Sequence, residues 1–188
     1  KQHGFRYLFE NCINIVNVEK GFLPATTLNN YCYNQMFYGC SNLATSPDLP
    51  AKTLKSYCYR NMFYGCVSLT QAPELLATTL GTYCYYGMFY GCSKLETPPV
   101  VAASKLSAYA CRDMFKECTS LISTPSMNIK TITNYSCYSM FEGCTNLTTI
   151  NITISASDFY ENSCYSMFRG CTKLESASSL FALNSDSV

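Results

Sequence analysis

The chain lacks tryptophan and holds a single histidine, His3, close to its start. With one histidine, a His-dependent triad or a His-ligated metal site is nearly excluded. Charge is scarce as well: charged residues are 13% of the 188, about half the usual quarter. Thirteen Lys and Arg oppose twelve Asp and Glu, a net of +1. A nucleic-acid binder should show a basic surplus or stripe, and a polybasic membrane-surface protein a cationic cluster; neither is present. No apolar run approaches the ~18 residues of a membrane span. The chain opens at Lys1 without a charged and then apolar leader, so it reads as a processed protein or a fragment.

What is present argues against disorder. There are sixteen Tyr, eleven Phe and thirteen Cys, and 48% of residues are apolar. They are not scattered. Met36-Phe37-Tyr38-Gly39-Cys40-Ser41-Asn42-Leu43 recurs as Met62-Phe63-Tyr64-Gly65-Cys66-Val67-Ser68-Leu69 and as Met88-Phe89-Tyr90-Gly91-Cys92-Ser93-Lys94-Leu95. Met114-Phe115-Lys116-Glu117-Cys118, Met140-Phe141-Glu142-Gly143-Cys144 and Met167-Phe168-Arg169-Gly170-Cys171 continue the series, and Leu8-Phe9-Glu10-Asn11-Cys12 opens it in degraded form. The closing cysteines stand at 12, 40, 66, 92, 118, 144 and 171, in steps of 28, 26, 26, 26, 26 and 27. A fixed period of this length marks a solenoid. The expectation is one solenoid domain over residues 1–188: about six repeats and a partial N-terminal one, within a longer protein.

Each repeat parses into three parts. Leu43-Ala44-Thr45-Ser46-Pro47-Asp48-Leu49 reads as a brief strand. Pro47, Pro73, Pro99 and Pro125 form a column, and proline donates no ladder hydrogen bond, so strands of about three to four residues are expected. A connector follows, anchored by one apolar residue: Leu28, Leu54, Leu80, Leu106, Ile132 and Phe159. Then Cys58, Met62 and Cys66 at i, i+4 and i+8, with Tyr59 and Phe63, predict a short helix with one apolar stripe. Gly65 fits a left-handed helix end, repeated by Gly39, Gly91, Gly143 and Gly170; Glu117 replaces it once and predicts strain there. One strand and one helical turn cannot bury both faces alone, but stacked repeats can. The expected fold class is therefore an α/β leucine-rich-repeat solenoid, with short parallel strands on one face and short helices on the other.

The repeated Met-Phe-Tyr-Gly-Cys-x-x-Leu, followed by Ala-Pro or Ser-Pro and Thr-Leu, resembles the BspA-like leucine-rich-repeat family of bacterial surface proteins. The family unit is shorter, about 23 residues, with Ala-Phe where this chain has Met-Phe, which places the chain in a long-repeat subgroup. The resemblance covers residues 7–183. It implies a secreted or cell-surface location and roles in adhesion or in binding host proteins. It implies no catalytic residues and no cofactor.

The opening cysteines Cys32, Cys58 and Cys84 stand four residues before the Met; Cys111, Cys137 and Cys164 stand three before it. On a helix, separations of eight or seven residues span about 12 or 10.5 Å, beyond the ~7 Å a disulfide tolerates. Three readings stay open: buried free thiols in core columns, staples between neighbouring repeats, or a metal array. The last lacks both C-x-x-C spacing and histidine.

Two surfaces are candidate binding sites. The first is the strand face, at Thr45, Gln71 and Thr97, continued by Ser123, Thr149 and Ser176. It is either a solvated sheet surface or a ligand face of low charge. The second is a ladder of Tyr38, Tyr64 and Tyr90, extended by Lys116, Glu142 and Arg169, with a further column at Tyr31, Tyr57, Tyr83, Tyr109 and Tyr135. These rings either finish the core by packing on the next repeat or contact a protein or a sugar. Asp48 and Glu74 share a repeat position, but Val100 follows, so no carboxylate pair persists. The sequons at Asn134, Asn146 and Asn151 carry little weight. The apolar run Leu180-Phe181-Ala182-Leu183 is a candidate cap, and uncovered ends could stack into dimers. The functional expectation is a non-enzymatic module that binds a host or bacterial surface protein. A structural spacer and a glycan-binding module are the alternatives.

Overall fold

The computed structural model describes residues 4–181; His3, Ala182 and Leu183 lie outside them. The fold is a stack of coils, one per repeat, joined by parallel pairing. β1 (Thr27–Leu28), β2 (Thr53–Leu54) and β3 (Thr79–Leu80) form one parallel sheet. β4 (Met127–Ile129) and β5 (Ile152–Ile154) form a second. Registers step by one full repeat, Thr27 to Thr53 to Thr79. The step from β4 to β5, Met127 to Ile152, is one position shorter.

The ladders are short, as the prolines require, but they are displaced. The regular two-residue strands fall in the segment expected as connector. Where the strand was expected, single bridges remain at Asn17–Thr45, Gln71–Thr97 and Ser123–Thr149. The proline just downstream stops each of them. At the equivalent of Pro125 in the next repeat stands Asn151, and its N–H donates to Thr124 Oγ1 at 2.7 Å, a bond proline could not make.

The expected helices are absent: no described residue is α-helical. In their place each repeat runs as a ribbon of overlapping turns. In the third repeat, the N–H groups of Met62, Tyr64 and Cys66 donate to carbonyls three residues back, on Tyr59, Asn61 and Phe63. The intervening N–H groups of Asn61, Phe63 and Gly65 donate to the next coil, on Tyr86, Met88 and Tyr90, at 2.8–2.9 Å. Alternate groups thus serve the coil and the stack, which satisfies the backbone without a helix. The physical reason is spacing. Stacked tyrosine rings of successive coils lie 4.5–5.0 Å apart at Tyr31, Tyr57, Tyr83, Tyr109 and Tyr135. That matches the ~4.8 Å between paired strands, whereas packed helices need about 8–10 Å.

The ribbon demands left-handed backbone every few residues. Tyr57, Tyr83, Tyr109 and Tyr135 all have φ between 56° and 63°. Gly39, Gly65, Gly91, Gly143 and Gly170 are also left-handed, at 70–77°, but they end the ribbon rather than a helix. Glu117 takes the same conformation at 61°, where a side chain costs roughly 1–2 kcal/mol. Glu117→Gly should therefore stabilise the protein by about 1 kcal/mol in urea unfolding, net of its exposed bond from Tyr90. Tyr90→Phe isolates that bond, and a stability loss in Glu117→Gly would refute the strain.

The core is built of columns. Phe37, Phe63, Phe89, Phe115 and Phe141 are fully buried and stacked at 5.4–5.7 Å. The anchor residues Leu28, Leu54, Leu80, Leu106 and Ile132 are buried as expected. Phe159 is not: it is exposed, and its ring meets Phe181 edge on. The longer last repeat is the reason. Its strand pairs one position short of the full period, while its ribbon runs one position long: Tyr135 N–H donates to Glu161, where Tyr57, Tyr83 and Tyr109 donate to Thr82, Ala108 and Asn134. The surplus residues bulge out around Phe159.

The opening-cysteine shift is a change of column, not of backbone register. Cys111 stands one period after Tyr85, and Ala110 one period after Cys84. A buried Cys-Tyr pair, Cys58-Tyr59 or Cys84-Tyr85, becomes Ala110-Cys111 and then Ser136-Cys137, all buried. Elsewhere in the core Ala51, Ala77 and Ala103 give way to Ile129, so volume lost in one column returns in another.

Candidate binding surfaces

Thr45, Gln71, Thr97 and Thr149 are exposed, and Ser123 is half-buried. Thr45 and Gln71 line an open groove of about 610 Å³. Its floor includes Leu49, Pro50 and Pro73, and its charges are Lys20, Asp48 and Glu74. A second groove of about 380 Å³ is lined by Glu96, Ser120, Ile122, Asn146, Thr148 and Lys173. Thr97 lines neither. Asp48 and Glu74, set aside above as catalytic groups, instead carry the first groove's negative charge. Only the folded coil shows that, because it sets their shared column beside the bridge residues.

Tyr38, Tyr64 and Tyr90 are brought together on a separate surface, and neither groove includes a tyrosine. Their rings are half-buried and stacked at 4.6 Å. Burial raises the Tyr64 and Tyr90 phenols above the ordinary range. Tyr90 donates to Glu117 Oε1 at 3.0 Å. Lys116 continues the ladder in an ion pair with Glu142 at 3.2 Å. Bonds from Ser139 and then Lys116 hold the Glu142 carboxyl below the carboxylate range.

Beside the second tyrosine column runs one that alternates arginine with tyrosine, a feature the sequence analysis missed. Arg60 lies over the rings of Tyr86, at 5.0 Å, and Tyr57, at 6.0 Å. Arg112 lies over Tyr138 at 4.4 Å and over Tyr86 at 5.7 Å. Its Nε also meets Asp113 at 3.2 Å, and burial raises that carboxyl despite the cation. The signal was in the repeat: Asn34, Arg60, Tyr86, Arg112 and Tyr138 each stand one period after the last. Face-to-face stacking has a chemical consequence. Interior rings cover one another's faces, so they offer edges and hydroxyls outward, not the open face on which a sugar stacks.

Burial also explains the cysteines. In the closing column each thiol after Cys12 donates to the carbonyl of a phenylalanine in the preceding coil: Cys66 to Phe37 at 3.2 Å, Cys92 to Phe63 at 3.1 Å, Cys118 to Phe89 at 3.0 Å. Desolvation pushes Cys58 and Cys111 up to about 12. These thiols are therefore protonated donors rather than nucleophiles. Among the described residues, no group of three or more His, Cys, Asp or Glu is placed to hold a metal ion. Among them, too, no helix is long and apolar enough to cross a membrane.

Short parallel strands, a strict repeat and a continuous stacked core define a leucine-rich-repeat-like solenoid. Among solved structures, the chain is similar to the crystal structure of the T. pallidum leucine-rich-repeat protein, with a TM-score of 0.59 over 90% of this chain and 70% of that one, at 20% identity. That likeness is one of fold. No protein-family model matches the chain, and no curated protein matches it.

Proposed function

We propose that the chain is a non-enzymatic binding module of a secreted or cell-surface protein. It takes a protein partner along the face of Thr45, Gln71 and Thr97. The observation that carries this reading is the groove at Thr45 and Gln71, with polar walls, an apolar floor and both signs of charge at its rim. Such a mixture suits a protein segment, and a repeated face multiplies weak contacts. The resemblance to BspA-like surface proteins supports an adhesive role. The spacer reading rests on the rod of coils alone, and the glycan reading loses support because the tyrosine faces are covered.

The test is a binding panel of extracellular-matrix proteins, mucins and a glycan array. Beside the wild type run two variants: Thr45→Arg with Gln71→Arg, and Tyr38, Tyr64 and Tyr90 each replaced by Ser. The groove variant should lose saturable protein binding at least ~10-fold with an unchanged circular-dichroism spectrum. Loss only in the tyrosine variant would move the site to the ladder. Silence from folded wild-type protein would favour the spacer.

A further inference from the structure

The net charge of +1 conceals a division of sign that forms only when the coils stack. Positions 51–63, with their equivalents 25–37, 77–89, 103–115 and 129–141, hold six cations: Lys52, Lys55, Arg60, Lys105, Arg112 and Lys130. They hold one carboxylate, Asp113, which is buried and paired with Arg112. The other half of those coils inverts the balance: Asp48, Glu74, Glu96, Glu117 and Glu142 stand there against Lys94 and Lys116. Both grooves lie in that acidic half, and none of the six cations lines either. In the sequence the six are scattered over 79 positions, from 52 to 130. Parallel pairing in steps of one repeat gathers them on one strip of the stack.

The strip is built to meet negative charge. Lys52, Lys55, Lys105 and Lys130 are exposed, and among the described residues none of them has an ion pair. Arg60 has none there either. Its guanidinium lies against the rings of Tyr57 and Tyr86, and its Nε is buried without an acceptor. Only its terminal nitrogens are left to meet an anion. Rings hold Arg112 in the same way two coils on, so an incoming anion finds both arginines already ordered. Thr53, Thr79 and Thr131 add exposed hydroxyls between the cations. What the strip lacks is equally telling. The large apolar residues exposed between Leu23 and Asp158 are Val67, Leu76, Val100 and Ile122, and all four belong to the acidic half. A protein hot spot needs an apolar anchor. A single nucleic-acid strand needs open rings on which to stack its bases, and here the rings cover one another.

We propose that this strip binds a linear sulfated polysaccharide. Its sulfates pair with the four lysines and with the outer edges of Arg60 and Arg112. Its hydroxyls exchange hydrogen bonds with the threonine and tyrosine hydroxyls. No ring face takes part, so the covered tyrosines that argue against sugar stacking do not argue against a polyanion. The strip lies off the groove proposed for a protein partner, and the two sites stand or fall separately.

Calorimetric titration with heparin tests it. Binding to the wild type should be saturable and should weaken about 10–100-fold from 50 to 200 mM salt. Lys52→Gln with Lys55→Gln, and Lys105→Gln with Lys130→Gln, should each cost at least ~5-fold and flatten the salt dependence, with unchanged circular dichroism. Lys94→Gln with Lys173→Gln removes the same charge from outside the strip and should cost less than ~2-fold. Wild-type protein that does not bind heparin would overturn the proposal, as would binding to neutral dextran. Equal losses in all three pairs would overturn it too, because they would report net charge rather than a site. Tighter binding to polyglutamate, to a thymidine oligonucleotide or to phosphatidylserine vesicles would replace the polysaccharide with an acidic protein, a nucleic acid or a membrane.

Discussion

Raising the pH from 8 to 10 should unfold the reduced protein cooperatively, with a midpoint between about 9 and 10. The cause is the buried thiol array. Desolvation, ahead of any other effect, raises Cys40, Cys58, Cys66, Cys84, Cys92, Cys111, Cys118, Cys144 and Cys171 above their ordinary value of 9.0. The least raised, Cys40 and Cys171, still stand at about 11. A thiol raised on folding keeps its full contribution below its unfolded pKa and loses it as the pH climbs toward the folded one. Between pH 9 and 10 the unfolded chain releases protons that the folded chain retains. Nine such groups cost about 4 kcal/mol by pH 9 and about 13 kcal/mol by pH 10, against a total stability of roughly 5–15 kcal/mol. The buried phenols of Tyr59 and Tyr85, both raised by desolvation, act in the same direction. Far-UV circular dichroism from pH 7 to 11 under reductant measures it. A protein still folded at pH 10.5 would show that the thiols reach solvent without unfolding.

Phe63→Ala should be the most damaging single truncation, at about 3–5 kcal/mol. Phe63 has no exposed surface and stacks at 5.7 Å on both Phe37 and Phe89. Its removal opens a void that neighbouring coils cannot close, because backbone bonds hold them in register on both sides. Phe168→Ala in the last coil removes the same ring where it is half-buried and stacked on one side only. It should cost about 1–2 kcal/mol. Urea unfolding of the two variants gives the comparison. In a chain of coils that contact only their neighbours, the central variant should also lower the m-value by uncoupling the two halves. Equal costs for the two rings would contradict a stack that gains its strength from both neighbours.

Much of this was legible in the sequence. The fixed period alone sets one coil per repeat. A column that never changes chemical type, such as Phe37 to Phe141, must face the same surroundings in every coil. The Tyr38 ladder, the buried cysteines and the short ladders beside the prolines follow from the same reasoning. So does the left-handed position of Gly65, whose column is glycine in five of seven units and left-handed also at Asn11 and Glu117.

Tertiary structure decided the rest. Spacing i, i+4, i+8 at Cys58, Met62 and Cys66 is that of a helix, yet those residues form a ribbon of turns. Periodicity records which side chains point inward, not where the N–H groups go. Here half of them go to the next coil, and only stacking at the separation of paired strands makes those acceptors available. The same stacking turned the candidate tyrosines from open platforms into rings that cover each other, and set Asp48 and Glu74 beside Thr45 and Gln71 at one groove. A single repeat specifies its own columns; which columns become neighbours is a property of the stack.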